Sequence, residues 1–245
     1  MQTGPETMDY RPFIDRYRSG EVRTPIFHDL VLNDIKLRQK PVVLDIGCGK
    51  GFDDEPRYST SLASHAGRYI GVEPDAAVEL LPIFTEVYHS FFESAPIEPN
   101  TVDVAFCVMV LEHIESPAEF LKKTSEVLRP GGVFWGFTMD KRHWFTWASK
   151  FADVIHAKEL YLNMIHGRRG IDRYENYPVH YRMNCPGDFQ QLAGEFTAVD
   201  FLNFYRRGQL DFYYPKKLRW AGRALDSITH SLGMPGSVLA VRLQK

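Results

Sequence analysis

VVLDIGCGKG, residues 42–51, decides the fold. The run Val42–Ile46 is apolar apart from Asp45 and stops on a glycine. That pattern predicts a strand buried on both faces. Gly47, Gly49 and Gly51 follow at alternate positions. Glycines there allow backbone N–H groups to come close to a ligand at the strand's carboxyl end. Asp45 inside the run needs a buried partner. Such a loop is compatible both with a nucleotide site and with a turn that binds nothing.

Working outward, RYIGVEP predicts a second strand, and Glu73 follows Gly47 by 26 residues. In doubly wound sheets an acid at that place accepts hydrogen bonds from ribose hydroxyls. The third glycine of a nicotinamide fingerprint would fall at Phe52, and there is no Walker lysine pattern, so an NAD-type oxidoreductase is disfavoured. Asp75 is predicted to cap a helix through Phe84. Val87–Phe91 and VDVAFCVMV read as strands three and four. Ser116-Pro117-Ala118-Glu119 reads as a capping box that opens a helix, and RPGG closes it before GVFWGFT, strand five. A helix near 186–195, the strand TAVDFLNFY, a basic amphipathic helix over 215–232 and the strand SVLAVRL complete the chain. Upstream, residues 1–40 read as a helical segment with Thr24 as an N-cap before Pro25. Alternation with short links predicts an α/β, doubly wound, mostly parallel sheet in one domain over residues 1–245.

Residues 139–185 interrupt this rhythm. They read as a cap insertion of aromatics, His and Arg, with Gly167 and Gly170 as expected hinges of a closing lid. The 245 residues are 44% hydrophobic and 24% charged, which excludes a disordered chain. A net charge of −2 argues against nucleic-acid binding by bulk attraction. Residues 1–139 carry 13 basic and 21 acidic side chains, and the remainder 16 and 10, so the C-terminal part is the basic one. Three spaced cysteines, no signal-like N-terminus and no long apolar run predict a cytoplasmic protein with no metal site. The apolar face of 215–232 is expected to pack on the sheet rather than lie on a membrane.

VVLDIGCGKG, GVEPD and PNTVDVAFCVMVLEHIESPAEFLKKTSEVLRPGGVF together resemble the class I S-adenosylmethionine-dependent methyltransferases, in the small-molecule group with an L-D-x-G-C-G-x-G loop. The resemblance spans residues 41–138. It implies a Rossmann-like seven-stranded sheet with the last strand antiparallel, and S-adenosylmethionine as cofactor. It also implies a cofactor site of Asp45, Gly47, Cys48, Gly49, Gly51, Glu73, Pro74, Phe92, Glu93, Val108 and Met109. Relatives place an acid at the end of strand three for the adenine. Here Phe91 or Phe92 stands there, followed by Glu93. Asp45 would meet the cofactor's ammonium, directly or through water. His113 in LEHI matches a substrate-facing position and is either a general base or a backbone-bonded helix-start residue. His143, His180, Tyr181 and Arg182 are the expected acceptor contacts. The expected reaction is O-methylation of a small-molecule or glycan-like hydroxyl. C- or N-methylation, or cofactor binding without turnover, are the alternatives.

Overall fold

A computed structural model describes residues 9–154 and 177–245. Its strands are β1 Val42–Ile46, β2 Arg68–Val72, β3 Glu86–Tyr88, β4 Val102–Val108, β5 Leu128–Met139, β6 Ala198–Phe204 and β7 Val238–Gln244. They form one sheet in the order β3-β2-β1-β4-β5-β7-β6. β3, β2, β1, β4 and β5 pair in parallel, and β7 runs antiparallel to both β5 and β6. The order reverses between β1 and β4, so their carboxyl ends open the crevice where such sheets hold ligands.

The strand pattern serves two helical layers. Val133, Trp135 and Phe137 of β5 face the layer of α2 (Arg23–Lys36), with Ile26, Phe27, Leu30, Val31 and Ile35. Phe134, between them, faces α4 (Pro117–Val127) through Phe120, Leu121 and Val127. The other helices are α1 Arg11–Arg18, α3 Pro56–His65, α5 Trp144–Val154, α6 Pro186–Leu192 and α7 Arg219–Ser231. Proline starts α3, α4 and α6 in the first turn, where its missing N–H costs nothing.

One buried polar cluster fixes α2 to the sheet. Asp34 accepts from Trp135 Nε1 at 2.8 Å and from Arg242 Nε and Nη2 at 2.9 and 3.0 Å. Burial raises its carboxyl, but Arg242 and Trp135 outweigh that and hold it below the usual range. Asp34→Ala would leave Arg242 largely buried with only the longer contact to Asp200 at 3.9 Å, so a loss of about 3–5 kcal/mol is expected in denaturant unfolding. Because the folded value is depressed, the contribution is present above the unfolded carboxylate range and fades as pH falls through the folded value.

Four local expectations are corrected. Asp75–Phe84 forms turns, not a helix. The Asp75 carboxylate accepts from the Ala77 N–H at 2.9 Å as an Asx turn, and Pro82 cannot donate a helical bond. Thr24 lies inside α2, whose N-cap is Val22, and its hydroxyl donates to Asp53 at 2.6 Å. Ser116 caps α4 by position only, with no side-chain bond. The apolar face of α7 points outward: Gly222, Asp226 and Thr229 are buried, whereas Trp220, Ile228 and Leu232 are 71%, 57% and 79% exposed. Of the cap, residues 139–154 and 177–185 are described. The expected lid hinges Gly167 and Gly170 lie outside the described residues. Among the described residues no helix is long and apolar enough to cross a membrane.

Candidate cofactor and acceptor site

The glycine loop is bolted to the end of β2. The N–H groups of Gly47 and Cys48 both donate to Val72 O, at 2.8 and 3.1 Å. Gly47, Gly49 and Gly51 have φ of 73°, 33° and 110°. A Cβ on Gly51 would sit 3.0 Å from Pro56 Cα, which is backbone and cannot swing away. Cys48 is buried, and burial raises its thiol well above the usual range.

Glu73 sits beside this loop, 3% exposed. Its Oε2 accepts from Gly49 N–H at 3.1 Å and its Oε1 from Asp75 N–H at 3.0 Å. Pro74 makes the bend that lets the chain return to it. A carboxylate has about four acceptor positions, so two further donors can be received.

Asp45 has the buried partner it requires: Tyr69 O–H donates to its Oδ2 at 3.0 Å. Burial, with Glu73 adding to it, pushes the Asp45 carboxyl up to about 7. The raised folded value means the protonated form favours folding. That advantage is full below the unfolded value of about 4 and is lost as pH rises to about 7. Asp45→Asn keeps an acceptor for Tyr69 and removes the charge. It is expected to raise the melting temperature at pH 8 by about 5 °C and to flatten the slope below pH 7. An unchanged slope in calorimetric melts would refute the assignment.

At the end of β3, Phe92 is buried against Phe120, ring centroids 5.2 Å apart. Its ring therefore belongs to the core and leaves only its backbone for a ligand. Phe91 is the exposed aromatic, at 63%. Glu93 is half-buried beside it. Ser90 Oγ is buried and has no hydrogen-bond partner among the described residues.

The β4 exit is shaped by a clasp absent from the sequence reading. Met109 adopts φ 55°, its N–H donating to Phe137 O at 2.8 Å, next to Val108. Arg23 grips Asp53 through Nε and Nη2 at 3.0 and 2.7 Å, with its Nη1 3.8 Å from Met109 Sδ. The N-terminal segment thus joins the exits of β1 and β4. Asp53 reaches it through a left-handed backbone, φ 52°. Nothing short-range in the sequence pairs residues 30 positions apart.

His113 lies in a single 3₁₀ turn, Leu111–His113. Its Nδ1 contacts Pro178 O at 2.9 Å. Because a carbonyl only accepts, Nδ1 carries the proton and Nε2 is the basic atom of the neutral ring. Tyr177 stands 6.2 Å away, centroid to centroid. Burial raises the Tyr177 phenol, and the fields of Glu73 and Asp75 add to it, so it lies on the side of those two carboxylates. Glu112 is buried, accepts from Thr138 Oγ1 at 2.9 Å, and has its carboxyl raised by burial.

The expected acceptor contacts separate. The N–H groups of His180 and Tyr181 donate to Glu112 O at 2.7 and 3.2 Å, which brings them to the His113 turn. Arg182 reaches Glu115 O at 2.6 Å on the exposed side and acts as a strap. His143 is 1% exposed, accepts Phe145 N–H at 3.2 Å, and contacts Gln209 Nε2 at 3.3 Å. Burial lowers it to about 4. Its ring is thus packed among Phe145 and Gln209 with almost no surface open to an acceptor. Among the described residues no group of three or more His, Cys, Asp or Glu could hold a metal ion.

Comparison with known proteins agrees with this architecture. The tRNA U34 carboxymethyltransferase of Helicobacter acinonychis (strain Sheeba) is 33% identical over 116 residues, 42% of each chain. The ubiquinone biosynthesis O-methyltransferase of Colwellia psychrerythraea is 31% identical over 104 residues, 40% of this chain and 42% of the relative. The alignments thus span less than half the length of these relatives. Among solved structures, the geranyl diphosphate C-methyltransferase of Streptomyces coelicolor A3(2) superposes with TM-score 0.56 at 12% identity, over 98% of this chain and 85% of that one. A SAM-dependent methyltransferase from Archaeoglobus fulgidus gives 0.54 at 14%, over 97% and 100%. Residues 15–211 match the methyltransferase domain family Methyltransf_23, and with this sheet around them the chain belongs to that family, among the class I S-adenosylmethionine-dependent methyltransferases.

Proposed function

We propose that the chain transfers a methyl group from S-adenosylmethionine to a hydroxyl oxygen of a small-molecule or glycan-like acceptor. The His113–Pro178 contact carries this reading, because it leaves a basic nitrogen just beyond the carboxyl end of β4, near Tyr177, whose phenol feels the fields of Glu73 and Asp75. Several features suit the cofactor. The glycine loop admits close approach, Glu73 has acceptor positions for ribose hydroxyls, and Ser90 Oγ lacks a partner among the described residues. When bound, the cofactor supplies an electrophilic sulfonium methyl. The chain's own part is to align the acceptor oxygen, exclude water, and take the hydroxyl proton on His113 Nε2.

Relatives named for tRNA modification make RNA the second acceptor class to examine, and the net charge of −2 disfavours it. The deciding assay measures S-adenosylhomocysteine formed with panels of hydroxyl, carbon and amine acceptors and with RNA. Turnover confined to carbon or amine acceptors, or to RNA, would overturn the O-methylation reading. Cofactor binding with no turnover on any of them would leave a binding protein.

A further inference from the structure

We propose that α7, with the turn before it, docks the protein on an anionic lipid bilayer surface. The helix is turned inside out relative to the usual packing of an amphipathic helix. At about 100° per residue, Trp220, Ala221, Ala224, Leu225, Ile228 and Leu232 share one broad arc. Trp220, Leu225, Ile228 and Leu232 are 71%, 39%, 57% and 79% exposed, and Leu218 just before them 51%.

The face that would ordinarily be apolar is instead held inward by polar contacts. Asp226 accepts from Trp144 Nε1 at 3.0 Å and from Gly208 N–H at 3.1 Å, and Gly222 packs against the Tyr214 ring. The His230 ring stacks on Tyr205, centroids 3.5 Å apart. These contacts set the rotation of the helix and leave its apolar arc outside.

Charge selects the occupant. Residues 215–232 contain Lys216, Lys217, Arg219 and Arg223 and a single acid, Asp226. That acid is the inward one, 1% exposed, so it does not offset the basic flank. Arg223 pairs with Asp211, and Lys216 and Lys217 are exposed at the helix start. Exposed apolar side chains, a tryptophan at one end and lysines at the flank are the composition of a helix lying in a lipid headgroup region. An anionic surface attracts each cation within a Debye length.

The test is flotation of the whole chain with vesicles of phosphatidylcholine containing roughly one-third phosphatidylglycerol, against pure phosphatidylcholine. Flotation with the anionic vesicles, weak with the neutral ones and reduced by high salt, is expected. Ile228→Glu should cut partitioning by about tenfold or more. Lys216→Gln with Lys217→Gln should cut it by about tenfold or more as well. All three side chains are exposed, so folding and cofactor affinity should be unchanged, which circular dichroism and calorimetry check. No flotation, or equal flotation of Ile228→Glu, overturns the proposal. A concentration-dependent dimer that Ile228→Glu dissolves, without vesicle binding, assigns the face to a second copy and overturns it too. Turnover without vesicles is a separate readout, so failure here leaves the methyl-transfer reading standing or falling on its own assay.

Discussion

Glu73→Ala is expected to weaken S-adenosylmethionine binding by about a hundredfold or more, the scale of losing two hydrogen bonds to a charged acceptor. Glu73 is buried, and its two oxygens already receive Gly49 N–H and Asp75 N–H. That pair of bonds holds the carboxylate in place and leaves about two acceptor positions for a ligand. Glu73→Gln keeps one acceptor oxygen and should fall between wild type and Ala. Gly49→Val reaches the same site from the other side. At φ 33° a Cβ on Gly49 stands 3.6 Å from Glu73 Oε2, ordinary contact, but the valine methyls extend into the space beside the carboxylate. Calorimetric titration with S-adenosylmethionine measures both, and circular dichroism confirms that the variants stay folded. Unchanged affinity in Glu73→Ala and Gly49→Val together would remove the cofactor from this loop.

The elements legible in the sequence are those whose residues determine their own surroundings. Val42–Ile46 is apolar apart from Asp45 because both faces are covered, and Gly47 follows because the chain must turn at once. Pro56, Pro117 and Pro186 mark helix starts for a local reason, the absent N–H. Long-range partners do not show in this way. Asp45 signals that it needs a partner, but only the pairing of β1 with β2 brings Tyr69 to it. The Arg23–Asp53 clasp depends likewise on tertiary placement. The rotation of α7 is not legible in the sequence, because periodicity locates an apolar stripe without saying which way it faces. Asp226, bonded to Trp144 and Gly208, decides that. At Asp75–Phe84 Asp75 reads as a helix cap, but its carboxylate closes an Asx turn instead and Pro82 stops a helical bond. His143 and His113 are both histidines the sequence offers as site candidates. Burial separates them: one is sealed beneath Phe145 and Gln209, and the other stands half-buried at the edge.

That difference makes His113→Ala the second large expected effect: turnover lower by about a hundredfold or more, with cofactor affinity nearly unchanged. The argument rests on tautomer and place. Pro178 O can only accept, so Nδ1 donates and Nε2 keeps its lone pair. Nε2 is then the atom able to take a proton from an acceptor hydroxyl as its oxygen bonds to the methyl carbon. A structural role would produce a different pattern. Loss of the Pro178 contact alone would loosen residues 177–181, which are also held by His180 N–H and Tyr181 N–H on Glu112 O, and would raise KM without altering the pH profile. A base instead gives kcat a limb that rises with pH as the imidazole loses its proton, and His113→Ala should abolish that limb. Imidazole added to the His113→Ala protein should restore part of the rate where the cavity admits it. Retained kcat with an intact pH limb in His113→Ala would reduce His113 to an anchor of the covering segment. It would then favour carbon or amine acceptors, which can react without a protein base.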